Sequence, residues 1–181
     1  MLNLQIRRPS AWDIEELHHF FKTVITDTFR KEGIAEKVKD LEDEIESKKA
    51  YLQSDLESNG EKRFFLIAVD GDRIIGTIEY GAASELIREC TEGAFKDLIE
   101  VGTVFVHPDY QRRGVANLLL NKMYSTLHFR GIEEFCLDSG YVSSQMIWKK
   151  KYGEPLYFLE NYWGEANHHM IWRLEVGDLL K

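Results

Sequence analysis

The chain predicts a single α/β domain, residues 1–181, with a mixed and mostly antiparallel sheet flanked by helices. Three observations carry this. Short runs of β-branched and aromatic residues alternate with apolar-periodic stretches of helical spacing. Arg63–Val69 and Arg73–Tyr80 flank Asp70-Gly71-Asp72, a strong hairpin signal. Finally, Glu100–Ala116 reads as a buried strand, a proline stop, a glycine-bearing loop and the start of a leucine-rich helix.

Taken in order, Asn3–Arg7 alternates as a first strand, and Pro9-Ser10 ends it. Ser10 with Asp13 three residues on forms a capping-box pattern. The helix it opens carries Ile14, Leu17, Phe20 or Phe21 and Val24 on one stripe, and the period blurs from Thr26 to a break at Gly33. A second helix places Ile34, Val38, Leu41, Ile45, Leu52 and Leu56 on one face, and Asn59-Gly60 stops it. Its acidic run, Asp40 to Glu46, is flanked by Lys37, Lys39, Lys48 and Lys49 and reads as a solvated face. After the hairpin, Ser84–Cys90 suits a turn of helix, and Thr91–Asp97 reads as a connection.

Leu98–Val106 is the fourth strand, with Gly102 as the residue where it can kink or bulge. The helix after it sets Val115, Leu118, Leu119, Met123 and Leu127 on one face and ends at Arg130-Gly131. Phe135–Leu137 is a short buried strand, Ser143 can cap a helix to Tyr152, and Leu156–Trp163 with His169–Val176 closes the sheet as an antiparallel pair.

Composition narrows the function. No apolar run approaches the roughly 20 residues that span a bilayer, and the first residues lack the apolar core of a signal peptide. The expectation is a cytoplasmic protein that does not engage membranes. A net charge of −8 argues against nucleic-acid binding. Cys90 and Cys136 stand alone, so neither a disulfide framework nor a metal site is expected. His168 and His169 are adjacent on a strand and point to opposite faces, one exposed and one packed.

The loop Gln111–Ala116 is a phosphate cradle in its chemistry. The first N–H groups of the following helix point back at it, and the helix dipole favours negative charge there. Gly114 and Ala116 let an anion approach the backbone, and Arg112 and Arg113 add two cations. Gln111-x-x-Gly114-x-Ala116, after a strand ending Val104-Phe105-Val106-His107-Pro108, resembles the acetyl-CoA signature of the GNAT acyltransferases.

That resemblance implies a sheet splayed at its fourth and fifth strands and acetyl-CoA as co-substrate, with no metal. It implies that backbone near Val104, Phe105 and Val106 faces the pantetheine arm, and that Gln111, Arg112, Arg113, Gly114, Val115 and Ala116 hold the pyrophosphate. Ser143-Ser144 matches the start of a further family segment, with a hydroxyl, Ser144, placed to bond the pantetheine. Glu100 takes the role of general base, with Glu79 as its rival. Where the family carries a proton-donating tyrosine, this chain has Lys149 beside Trp148, and Tyr152 is out of register. The implied activity is acetyl transfer to an amine, small-molecule or peptide. The alternatives are transfer to a hydroxyl and an acyl-CoA sensor without turnover. A homodimer is compatible with the chain. Tyr157, Phe158, Tyr162 and Trp163 read as core or as walls of an acceptor cleft.

Overall fold

A computed structural model describes residues 3–181. Its strands are β1 (Leu4–Arg7), β2 (Arg63–Asp70), β3 (Arg73–Ala82), β4 (Ile99–Val106), β5 (Glu134–Ser139), β6 (Tyr157–Leu159) and β7 (His169–Glu175). Its helices are α1 (Ile14–Lys31), α2 (Val38–Ser58), α3 (Glu85–Cys90), α4 (Val115–Phe129), α5 (Val142–Tyr152) and α6 (Val176–Leu179). The strands bond in the order β1-β2-β3-β4-β5-β7-β6 in one seven-stranded mixed sheet. β4 and β5 run parallel, with Ile99 opposite Phe135 and Glu100 opposite Cys136, while β7 is antiparallel to both β5 and β6. The chain divides into two compact units, residues 1–80 with 103–125, and residues 81–102 with 126–181.

In the first unit, β2 is apolar from Phe64 to Val69, where both its faces are buried. Phe21 of α1 meets the rings of Phe65 and Phe105, at 6.3 and 6.5 Å, on one face of the sheet. On the other, a Cβ at Gly76 would meet Leu119 and Val115 at 2.9 and 3.1 Å, so glycine is what lets α4 pack this closely. The capping box forms as expected: Asp13 accepts from the Ser10 backbone N–H at 2.7 Å and also pairs with Arg7. In the second unit, Ala83, Ile87, Phe95, Cys136 and Ile171 make a smaller core between α3 and the sheet.

Several boundaries differ from the pattern. α1 continues through Thr26 to Lys31, because Phe29 is also buried and keeps the stripe going. α2 begins at Val38, so Ile34 lies before it, and Val38 itself is exposed. On α4 the buried face is Val115, Leu119, Leu120, Met123, Tyr124 and Leu127; Leu118 is turned outward, 47% exposed. β5 runs on to Ser139, since β7 pairs with it along that length. Tyr141, not Ser143, is the residue before α5. The closing strand pair is shorter than expected: β6 stops at Leu159, and residues 160–168 form a loop with Asn161 and Ala166 at positive φ.

The expected kink in β4 lies one residue beyond Gly102. Thr103 carries the left-handed backbone, φ +50°, and it is buried. A β-branched residue there is held against a cost of roughly 1–3 kcal/mol. Two contacts hold it: the Thr103 hydroxyl donates to Oε1 of Glu79 at 3.1 Å, and its carbonyl accepts the Thr77 hydroxyl at 2.8 Å. A threonine supplies a hydroxyl for that first bond, which glycine cannot.

Candidate active site

β4 delivers the chain to the cradle. Val104, Phe105 and Val106 are half-buried, in contrast to the buried run Phe64–Val69 of β2. His107 ends the strand with its N–H on the Ile75 carbonyl at 2.8 Å. Burial first, then the charge of Arg73, holds the His107 imidazole below its usual value. It is therefore neutral near pH 7, with Nδ1 free to accept the Asp109 N–H at 3.1 Å. Pro108–Tyr110 then make a single 3-10 turn.

The Gln111 side chain ties the loop down from both ends. Its amide nitrogen donates to the Val106 carbonyl at 3.2 Å, and its oxygen accepts from Lys31 of α1 at 3.1 Å. Arg112 and Gly114 both have left-handed backbones, φ +62° and +82°. Alternating handedness turns successive N–H groups to one side and forms an anion-binding concavity. The first α-helical bond of α4 runs from the Leu118 N–H to the Gly114 carbonyl, at 3.1 Å. The N–H groups of Val115 and Ala116 come before it, where the helix itself offers them no acceptor. Nothing lies within 4 Å of the place a Cβ on Gly114 would take, so the loop is open at this residue. Glycine is required here by its φ and not by a tight neighbour.

The cations flank the loop. Arg73 and Arg113 each stand over the ring of Tyr110, at 5.5 and 5.3 Å. Arg112 is exposed beside them. The family model described as "Acetyltransferase (GNAT) family" matches residues 19–140, a span that holds β2 to β5 and the loop. The chain belongs to the GNAT acetyltransferase family.

Solved structures agree with this GNAT fold. One is a GNAT-family protein from Desulfovibrio desulfuricans, 15% identical, with a TM-score of 0.72 over 96% of this chain and 99% of that one. Another is the PaiA N-acetyltransferase from Thermoplasma acidophilum in complex with coenzyme A, 19% identical, with a TM-score of 0.68 over 96% and 100%. A ribosomal-protein-alanine N-acetyltransferase from Brucella melitensis is 16% identical, with a TM-score of 0.67 over 94% and 99%. Curated proteins offer no sequence match.

In this GNAT protein the two acids weighed as bases have different surroundings. Glu79, on β3, is buried and ion-paired to Arg63 at 2.7 Å, besides its bond from Thr103. It is committed to holding the backbone of β4. Glu100, in the second unit, is half-buried, and its Oε2 accepts the Ser84 N–H at 2.9 Å, just where Ser84 caps α3. Ser144 lies in the first turn of α5, also in the second unit. Trp148 stacks on Tyr152 at 5.6 Å on the same helix.

Pattern reading missed two features. Thr103 gives no sequence signal, since threonine is an ordinary strand residue. Asp138 does give one: it is a carboxylate directly after the buried apolar run Phe135–Leu137, and such a residue usually has a partner. That partner is His169, whose Nε2 lies 2.8 Å from Oδ2. No helix among the described residues is long and apolar enough to cross a membrane.

Proposed function

We propose that the protein transfers an acetyl group from acetyl-CoA to an amine by direct attack, without a covalent enzyme intermediate. The observation that carries this is the cradle at Gln111–Ala116, where two left-handed residues turn the backbone around an open glycine at the start of α4. Such a loop suits the pyrophosphate of CoA. The half-buried backbone of Val104–Val106 leads away from it and suits the pantetheine arm, with Thr103 setting the bend.

An ammonium has no lone pair, so a base must take a proton before the nitrogen can attack the thioester. Glu100 is the group we assign to this step. The hydrogen bond it accepts from the Ser84 N–H fixes the carboxylate's orientation, and its rival Glu79 is held by Arg63 and Thr103. The acceptor is a small-molecule or peptide amine.

The test is thiol release from acetyl-CoA with a panel of alkyl diamines, amino sugars and peptides bearing free α-amino groups. Thiol appearing with an amine, together with the acetylated product by mass spectrometry, supports the reading. Binding of acetyl-CoA with no thiol release from any amine or alcohol would make the protein an acyl-CoA sensor.

A further inference from the structure

Lys48 stands where helical period calls for an apolar side chain. The inward stripe of α2 runs Ile45, Lys48, Leu52 and Asp55, at spacings of three and four. The Lys48 side chain is accordingly only 14% exposed. Its ammonium lies 5.0 Å from the centre of the Tyr51 ring and 5.8 Å from that of Phe105 on β4. The Glu44 carboxylate is 3.7 Å away, beyond hydrogen-bond length. Enclosing an ammonium is costly unless charge and hydrogen bonds meet it.

Arg63, at the start of β2, shares the Tyr51 ring, with its guanidinium 3.7 Å from the centroid. That side chain is also 14% exposed. Among the described residues it makes one hydrogen bond, from Nη1 to Oε2 of Glu79 at 2.7 Å. Nε and Nη2 thus meet no acceptor in the protein. Neither is sealed in, because Arg8 Nε is the one fully enclosed side-chain polar atom without a partner among the described residues. The Nε–Nη2 edge of a guanidinium presents two parallel N–H groups, the spacing of a carboxylate's oxygens. Glu79 does not compete for that edge, since Arg63 and Thr103 engage both of its oxygens.

Both cations belong to the first unit, together with the cradle and the bend in β4. Arg63 reaches the bend in two hydrogen bonds, through Glu79 to the Thr103 hydroxyl. Lys48 reaches the stretch just beyond it through the ring of Phe105.

We infer that the acceptor amine carries a carboxylate, held by the open edge of Arg63 and the ammonium of Lys48. This rests on the transferase reading above, in which the pantetheine arm leaves the cradle and follows Val106 back to Val104. The acyl end of such an arm falls at the Thr103 bend, beside the two cations. Tyr51 fixes the guanidinium in its plane, so the edge is set before the acceptor arrives. The carboxylate belongs to a free amino acid or to an acidic peptide. In a chain of net charge −8, an anionic acceptor needs local cations of this kind.

The test compares each acid with its own amide, which keeps the shape and removes the charge. β-Alanine and γ-aminobutyrate against their amides form the free amino-acid arm. Glycylaspartate against glycylasparagine, both amidated at the C-terminus, forms the peptide arm. In one of the arms kcat/KM for the acid should exceed that for the amide at least about tenfold, the scale of one hydrogen bond to a charged group. Arg63→Lys keeps a cation beside Glu79 and removes the fork; Lys48→Met keeps the packing on the rings and removes the charge. Each should lower the acid-to-amide ratio about tenfold, whereas a merely structural loss lowers both rates and leaves the ratio alone. If one variant does not fold, the other decides. Amides used as well as their acids in both arms, or ratios that the variants do not move, would overturn the inference and leave the transferase reading standing. If the wild type releases no thiol with any amine, the transferase reading falls by itself. Calorimetry of the same acids on the wild type and the two variants, with and without CoA, then decides the anion site: binding that either variant weakens about tenfold sustains it, and equal or absent binding overturns it.

Discussion

Thr103 donates its hydroxyl to Glu79 across 3.1 Å while its own backbone sits at φ +50°. The bond and the bend belong together. A left-handed β-branched residue is unstable by itself, and the buried carboxylate, itself paired with Arg63, is what makes the bend tolerable.

Thr103→Val should therefore destabilise the protein by about 1–3 kcal/mol in urea unfolding. Valine keeps the shape and the strained φ but leaves a buried carboxylate oxygen short of a donor. Equal stability of the two proteins would show that the hydroxyl does not hold the bend.

Gly114→Val should abolish acetyl-CoA binding by calorimetry and leave the fold intact. The side chain meets nothing in the protein, so packing does not oppose it. A β-branched residue at φ +82° does cost roughly 1–2 kcal/mol locally, and the loop relaxes away from the geometry that gathers its N–H groups. Normal binding by this variant would refute the cradle.

Glu100→Gln should lower turnover on the order of 10²-fold with little change in acetyl-CoA affinity. The amide oxygen can still accept the Ser84 N–H, so the start of α3 is kept. The deficit should shrink as pH rises toward the amine's own pKa of roughly 10, because more acceptor then arrives already deprotonated. A pH–rate profile that overlays the wild type would leave Glu100 as an anchor for α3 alone.

Asp13→Asn should cost about 1–2 kcal/mol of stability at pH 7. The hydrogen bond from Arg7, then the Ser10 backbone N–H, holds the Asp13 carboxyl below the usual carboxylate range. A carboxyl with a depressed folded pKa contributes stability that is present above its unfolded value, about 4, and is lost as pH falls through the folded one. The gap between wild type and variant should therefore narrow in acid. A gap constant with pH would mean that the charge contributes nothing.

The cradle was legible in the sequence because its chemistry is contiguous. A strand ended by Pro108, a loop needing Gly114 and an apolar-periodic helix fall within one short run, and each signal depends on neighbours a few residues away. The hairpin at Gly71 and the box at Ser10 and Asp13 are local in the same sense. What the tertiary structure decided depends on partners far along the chain. The bend falls on Thr103 instead of Gly102 because a carboxylate 24 residues earlier accepts its hydroxyl. Leu118 faces outward because packing on β3, not helical period alone, selects the buried side of α4. His169 and Asp138 are 31 residues apart and meet only through the β5–β7 register, which no periodicity encodes. Local torsional preferences can be read residue by residue; which polar group satisfies a distant buried one is known only once the strands have paired.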